Sequence, residues 1–219
     1  MKKIFTLIAA VAFAATVSAQ QIVFTEATEK GAVPETFEKN GFVLTTVDTD
    51  KSKHQIDANT AYFGTADSYV KFEMRLKTGG KSSSKNALKL TLPADGVVKV
   101  YARTGSNSAL DRNVVLKQSD AELYNELLLE SDAVKAVIGG EEKNVYPVIS
   151  VSAKAGDVNV EYPVNSVNFY GFEFVGSDGV SHVIAPVADG DIYNLSGMRV
   201  SSGTKGVVIR NGHKFVNAK

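Results

Sequence analysis

The stretch Tyr69-Val70-Lys71-Phe72-Glu73-Met74-Arg75-Leu76-Lys77 decides the reading of this chain. Val70, Phe72, Met74 and Leu76 recur at every second position, with Lys71, Glu73, Arg75 and Lys77 between them. Successive side chains of an extended strand point to opposite faces, so the pattern predicts a strand with one buried side and one wet side. Downstream, Leu88, Leu90 and Leu92 alternate with Lys89 and Thr91, and Val98, Val100 and Ala102 alternate with Lys99, Tyr101 and Arg103. Further strands are expected around 22–26, 42–47, 112–117, 145–153, 157–162 and 167–175. Short alternating segments closed by turn residues predict an all-β fold, a jelly-roll-like antiparallel β-sandwich over 20–175.

Parity constrains how two of these strands connect. If Pro93-Ala94-Asp95-Gly96 closed a plain hairpin, Leu90 would oppose Lys99 and Leu88 would oppose Tyr101 on one face, mixing core with solvent. Either a bulge shifts the register or the turn carries the chain from one sheet to the other. One stretch departs from the β pattern. Ser119-Asp120-Ala121-Glu122 has capping-box spacing ahead of Leu123, Leu127 and Leu128, which predicts a short helix over 120–130.

At the N-terminus, Lys2 and Lys3 precede an apolar run over 4–17 and a small-residue stop at Val17-Ser18-Ala19. This is the three-part pattern of a secretory signal peptide over 1–19. A spanning helix needs about 20 apolar residues, more than this run supplies. The expected location is therefore extracytoplasmic: periplasm, cell surface or medium. The chain has no cysteine, so packing alone must stabilise it outside the cytoplasm. Lys and Arg number 24 against 24 Asp and Glu, with no long run of one sign, which argues against a nucleic-acid partner. Glycines and Pro186 mark a linker over 176–190, and a compact β tail is expected over 191–219.

Several motifs invite functional readings. Thr78-Gly79-Gly80-Lys81-Ser82 contains Gly-Lys-Ser, but a phosphate loop requires glycine where Arg75 stands and must open a helix, so it reads as a loop. His54, His182 and His213 lie too far apart to suggest a metal site. No Gly-x-Ser-x-Gly elbow occurs, and no catalytic residue is assigned. Asp48, Asp50 and Asp57 are the candidate calcium ligands, although their spacing is not that of an EF-hand. Sugar binding uses an aromatic platform with a few charged groups. Lys99, Tyr101 and Arg103, sharing one non-core face, with Tyr69 and Arg75 on a second strand, are the candidate ligand-binding residues.

The run Arg75-Leu76-Lys77-Thr78-Gly79-Gly80, Ala87 to Pro93, Gly96 to Arg103 and Arg112 to Leu116 resembles the β-sandwich modules of secreted Bacteroidetes proteins that accompany pectate-lyase-like β-helices. That resemblance implies a jelly roll with a role in polysaccharide use. No β-helix accompanies the module here, which removes the part expected to carry catalysis. The tail, with Ile192-Tyr193-Asn194-Leu195-Ser196-Gly197, Lys205-Gly206-Val207-Val208-Ile209 and Asn211-Gly212-His213-Lys214, is similar to type IX secretion sorting domains, implying outer-membrane secretion machinery as a partner. Taken together, the expectation is an exported, non-catalytic, glycan-binding sandwich. The alternatives are a surface adhesin contacting other proteins and an orphan polysaccharide lyase.

Overall fold

The computed structural model describes residues 19–177 and the strand residues 192–194, 199–200, 206–210 and 213–217. The predicted signal peptide before Ala19, His182 and nearly all of the 176–190 linker lie outside the described residues. The chain divides into two compact units, Met1–Asp178 and Gly179–Lys219.

The first unit contains β1 (Gln20–Val23), β2 (Thr36–Lys39), β3 (Phe42–Asp48), β4 (Gln55–Gly64), β5 (Tyr69–Lys77), β6 (Asn86–Leu92), β7 (Gly96–Thr104), β8 (Asn113–Gln118), β9 (Ala121–Leu127), β10 (Val134–Ile138), β11 (Glu141–Tyr146), β12 (Ile149–Ala153), β13 (Gly156–Glu161) and β14 (Val167–Gly176). One sheet runs β10-β11-β4-β5-β14-β7-β12, with β1 added on β14, and the other runs β2-β3-β6-β13-β8-β9. Every pairing between these strands is antiparallel except that of β11 with β4. Their inner faces interdigitate through Phe42, Leu44, Leu88, Leu90, Leu116 and Val158 on one side and Leu76, Val98, Val100, Phe172 and Phe174 on the other. This is the predicted all-β sandwich. The parity conflict is resolved by a crossing: β6 and β7 belong to different sheets, so Leu92 and Val98 reach the same core from opposite walls.

The predicted helix over 120–130 is corrected to a hairpin. Gln118 pairs with Ala121, leaving Ser119-Asp120 as a two-residue loop with Ser119 at φ 52°, and β9 runs antiparallel to β8. Ser-x-x-Glu here spans a tight turn rather than a helix start. A register shift between Leu116 and Lys117 brings Leu123 and Tyr124 both to half-buried positions, which hides the two-residue period. Only a single 3₁₀ turn, Glu130–Asp132, follows.

A third layer lies on the sandwich. β14 pairs with β5 only at Asn168 and Phe169; beyond a bulge between Phe169 and Gly171 its edge is taken by β1 instead. There β5 leaves the sheet and passes over β14, with the Phe72 ring lying on Gly171. A Cβ at Gly171 would come 2.8 Å from that ring and 3.1 Å from the Ile22 carbonyl oxygen. The far half of the β4–β5 hairpin thus covers the outer face of β7 and β14. A second core forms between them from Ala61, Phe63, Phe72, Tyr101, Tyr146 and Tyr170. Only Pro147 and Val148 separate β11, paired with β4, from β12, paired with β7. The steps from Tyr146 to Ile149 span at most about 11 Å of extended chain, so the layer is tied down at both margins.

The loop end is held by a buried polar network. Asp48 accepts the amides of Ser52, Lys53 and His54 at 3.1, 2.8 and 2.8 Å. His54 Nε2 and Tyr162 Oη each lie 2.8 Å from Asn86 Oδ1, while Asn86 Nδ2 donates to the Lys81 carbonyl at 2.9 Å. An oxygen shared this way accepts from both neighbours, so His54 carries its proton on Nε2. The adjoining turn fits the same frame: Thr78 Oγ1 bonds both the N–H and the carbonyl of Val167 at 3.1 Å. Gly79 has φ +60°, and a Cβ there would lie 2.5 Å from the Lys53 carbonyl oxygen. Gly79→Ala is therefore expected to destabilise the sandwich by about 2 kcal/mol, read as a fall in the urea midpoint.

The second unit is an antiparallel sheet in the order β16-β15-β17-β18, from β15 (Ile192–Asn194), β16 (Arg199–Val200), β17 (Gly206–Arg210) and β18 (His213–Asn217).

Candidate ligand-binding cleft

The structure separates the candidate residues. Lys99, Tyr101 and Arg103 do share the outer face of β7, but that face is not open. Tyr101 is only 3% exposed, enclosed by the third layer, and its phenol donates to Glu173 at 2.6 Å. Burial, and then the Glu173 carboxylate, push that phenol well above the ordinary tyrosine range, so it stays protonated. Tyr101 lies on the non-core side of β7, as its parity predicts, but its ring presents no open surface for stacking. Lys99 is paired with Glu173 at 2.8 Å across the β7–β14 register. Arg75 is held side-on by Asp57, at 2.8 Å from Nε and 3.4 Å from a terminal nitrogen, with Lys77 on the same carboxylate. Tyr69 is 41% exposed and meets Tyr62 edge-to-face at 5.7 Å, away from the others.

Arg103 leads to a concavity. It lines a cleft of about 640 Å³ where the edge strands β9 and β12 of the two sheets approach, roofed by the Leu128–Asp132 connection. The guanidinium stacks on Tyr146, 4.6 Å from the ring centroid, and donates to Asn107 at 2.7 Å and to Glu130 at 3.2 Å. Glu130 also accepts from the Tyr146 phenol at 2.5 Å and from Asn144 at 3.1 Å, so one carboxylate gathers three donors. All of the Arg103 bonds come from one terminal nitrogen. Its Nε is buried and has no acceptor among the described residues.

The same cleft is lined by Glu126 and Asp132, which form no ion pair among the described residues, and by Tyr124. Burial and the Glu126 charge push Tyr124 up to about 12, and burial with the Glu130 bond does the same for Tyr146. Both phenols are therefore protonated donors at neutral pH. Leu127, Leu128, Pro147 and Val148 supply the apolar wall. A cleft of this volume, with convergent donors and acceptors on apolar walls, matches the general form of a small-ligand site.

Sequence reasoning missed most of this constellation. Tyr124 and Glu130 were placed on a helix, and Asn144 and Tyr146 lie on β11 or at its end, where Glu141-Glu142-Lys143-Asn144 shows no alternation. The Tyr146-Pro147 step was the one local sign of a boundary.

The candidate calcium ligands do not converge. Asp48 is saturated by backbone amides, Asp57 by Arg75 and Lys77, and Asp50 lies 3.6 Å from Lys85. Among the described residues no group of three or more acidic or histidine side chains could hold a metal ion. No helix among them is long and apolar enough to cross a membrane.

No family model matches the chain, and no curated protein does. Among solved structures, the K1 cleaved adhesin domain of Lys-gingipain from Porphyromonas gingivalis W83 aligns at 12% identity and TM-score 0.39, covering 73% of this chain and 99% of that one. A chain from a study of glycan recognition in the Ruminococcus flavefaciens cellulosome aligns at 9% identity and TM-score 0.33, covering 61% and 80%.

Proposed function

We propose that the sandwich is a non-catalytic module that binds glycan in the cleft between β9 and β12. The observation that carries this reading is the pairing, in one cleft, of a fixed guanidinium that has N–H groups to spare with two carboxylates that have no cationic partner among the described residues. A sugar presents hydroxyls that both donate and accept, so it needs both kinds of group, and its C–H faces need the apolar wall and Tyr124. Export by the N-terminal signal and delivery to the cell surface by the tail belong to the same proposal, and rest on the residue patterns of the two ends.

The test is affinity electrophoresis of the full chain through gels containing neutral polysaccharides, following a glycan-array screen. Arg103→Ala and Tyr124→Ala are expected to reduce retardation at least tenfold, about 1.4 kcal/mol. Tyr101→Phe should leave it unchanged, because the phenol lies outside the cleft and the ring that packs the second core is kept. Binding that survives both cleft substitutions would place the site elsewhere. Envelope proteins captured independently of glycan would favour the adhesin reading.

A further inference from the structure

The loop 78–85 lacks the spacing of a helix-opening phosphate loop, yet its neighbours in space give its glycines and lysines a different significance. It packs against the β3–β4 loop, and the two form a small pocket of about 250 Å³ lined by Asp50, Lys53, Gly79, Gly80, Lys81 and Lys85. Lys85 reaches Asp50 at 3.6 Å, but neither Lys53 nor Lys81 meets a carboxylate among the described residues. The pocket therefore carries two uncompensated positive charges.

Its geometry is fixed rather than incidental. Gly79 is pressed onto the Lys53 backbone, Asn86 holds the Lys81 carbonyl, and Ser82 donates to the Tyr162 carbonyl at 3.0 Å. Asp48 holds the opposite loop by the amides of Ser52, Lys53 and His54. The buried network thus keeps the backbones that carry Lys53 and Lys81 side by side. Ammonium groups extending from neighbouring backbones repel one another, and an anion between them offsets that repulsion. The amides of Gly79, Gly80 and Lys81 have no acceptor among the described residues. Nothing lies within 4 Å of where a Gly80 side chain would begin, which leaves the backbone open to approach. Consecutive free amides in a glycine turn, flanked by ammonium groups, form an anion-binding concavity.

We propose that this pocket binds a tetrahedral oxyanion, a sulfate or phosphate group, either free or as the ester substituent of a polysaccharide chain. Lys53 and Lys81 supply the charge, and the Gly79-Gly80-Lys81 amides supply directed donors. The proposal does not depend on the β9–β12 cleft.

The experiment titrates the full chain with inorganic sulfate and inorganic phosphate, following backbone amides by NMR. Gels containing dextran sulfate, with plain dextran as control, run alongside. Saturable shifts confined to Gly79, Gly80, Lys81 and Lys53 are expected, with retardation by dextran sulfate that weakens as salt rises. Lys53→Gln with Lys81→Gln should abolish the shifts and cut retardation at least tenfold, while Lys135→Gln with Lys154→Gln, the same loss of charge at exposed positions outside the pocket, leaves both intact. Shifts without gel retardation identify a site for the free ion; both together identify the ester. Shifts spread over all surface lysines, or retardation unchanged in the double variant with its melting temperature preserved, would overturn the proposal.

Discussion

Replacing Asp48 with alanine is expected to lower the stability of the sandwich by about 3 kcal/mol, because three amide donors lose their acceptor at once and the His54 amide among them is buried. Asp48→Asn should lie between, since an amide oxygen still accepts but carries no charge. Urea unfolding at pH 7 measures both; a loss under about 1 kcal/mol for the alanine variant would mean that water satisfies these amides.

The same network sets the sign of a pH dependence. Burial pushes the His54 imidazole below its ordinary 6.5, against the opposing effects of the Asn86 bond and the Asp48 charge. The folded chain therefore resists a proton that the unfolded chain takes up as pH falls below 6.5, and stability drains away through that window. The slope for one proton is at most about 1.4 kcal/mol per pH unit. Burial tends to raise Asp48, but the bonds from His54, Lys53 and Ser52 together hold it below 3.8. Its contribution is present above that value and is lost as pH falls further. Unfolding midpoints at pH 7, 6 and 5 should decline in the wild type and decline less in His54→Gln, where the titrating group is gone. Equal slopes in the two proteins would remove His54 from this role.

How much of this was legible in the sequence follows from where strands meet one face and where they meet two. β3, β6 and β7 each show inward residues against a single core over most of their length, and their alternation is plain; β5 keeps its alternation while turning Leu76 to the main core and Phe72 to the second. β4 was not predicted: Asn59 and Thr60 form a bulge opposite the step from Met74 to Phe72, and the strand serves the main core at Ile56 and the second core at Phe63. Tyr101 illustrates the same limit. Its parity placed it correctly on the outer face of β7, but no local pattern reveals that a hairpin some forty positions upstream will fold over that face. Thr78-Gly79-Gly80 was visible as a motif, while the residue that demands Gly79, Lys53, is known only once the loops are packed.

Phe63→Ala tests the third layer most directly. Phe63 is fully buried, with its ring centroid 5.2 Å from that of Tyr170 and 5.7 Å from those of Phe72, Tyr101 and Tyr146. Truncating such a ring leaves a cavity and costs about 4 kcal/mol. For a unit of this size that is a fall of about 10 °C in Tm. Phe63→Leu, which fills most of the space, should cost less than half as much. The effect should also reach the cleft, because Tyr146 belongs to both places: it packs on Phe63 and carries the Arg103 guanidinium over its ring. Leu90→Ala, a comparable loss in the main core, provides the control, since Leu90 touches neither Tyr146 nor the cleft. Both variants are expected to remain folded well below their midpoints. There, weakened glycan retardation in Phe63→Ala but not in Leu90→Ala would show that the third layer positions Arg103. Equal retardation in both would mean that Glu130 and Asn107 hold the guanidinium without help from the second core.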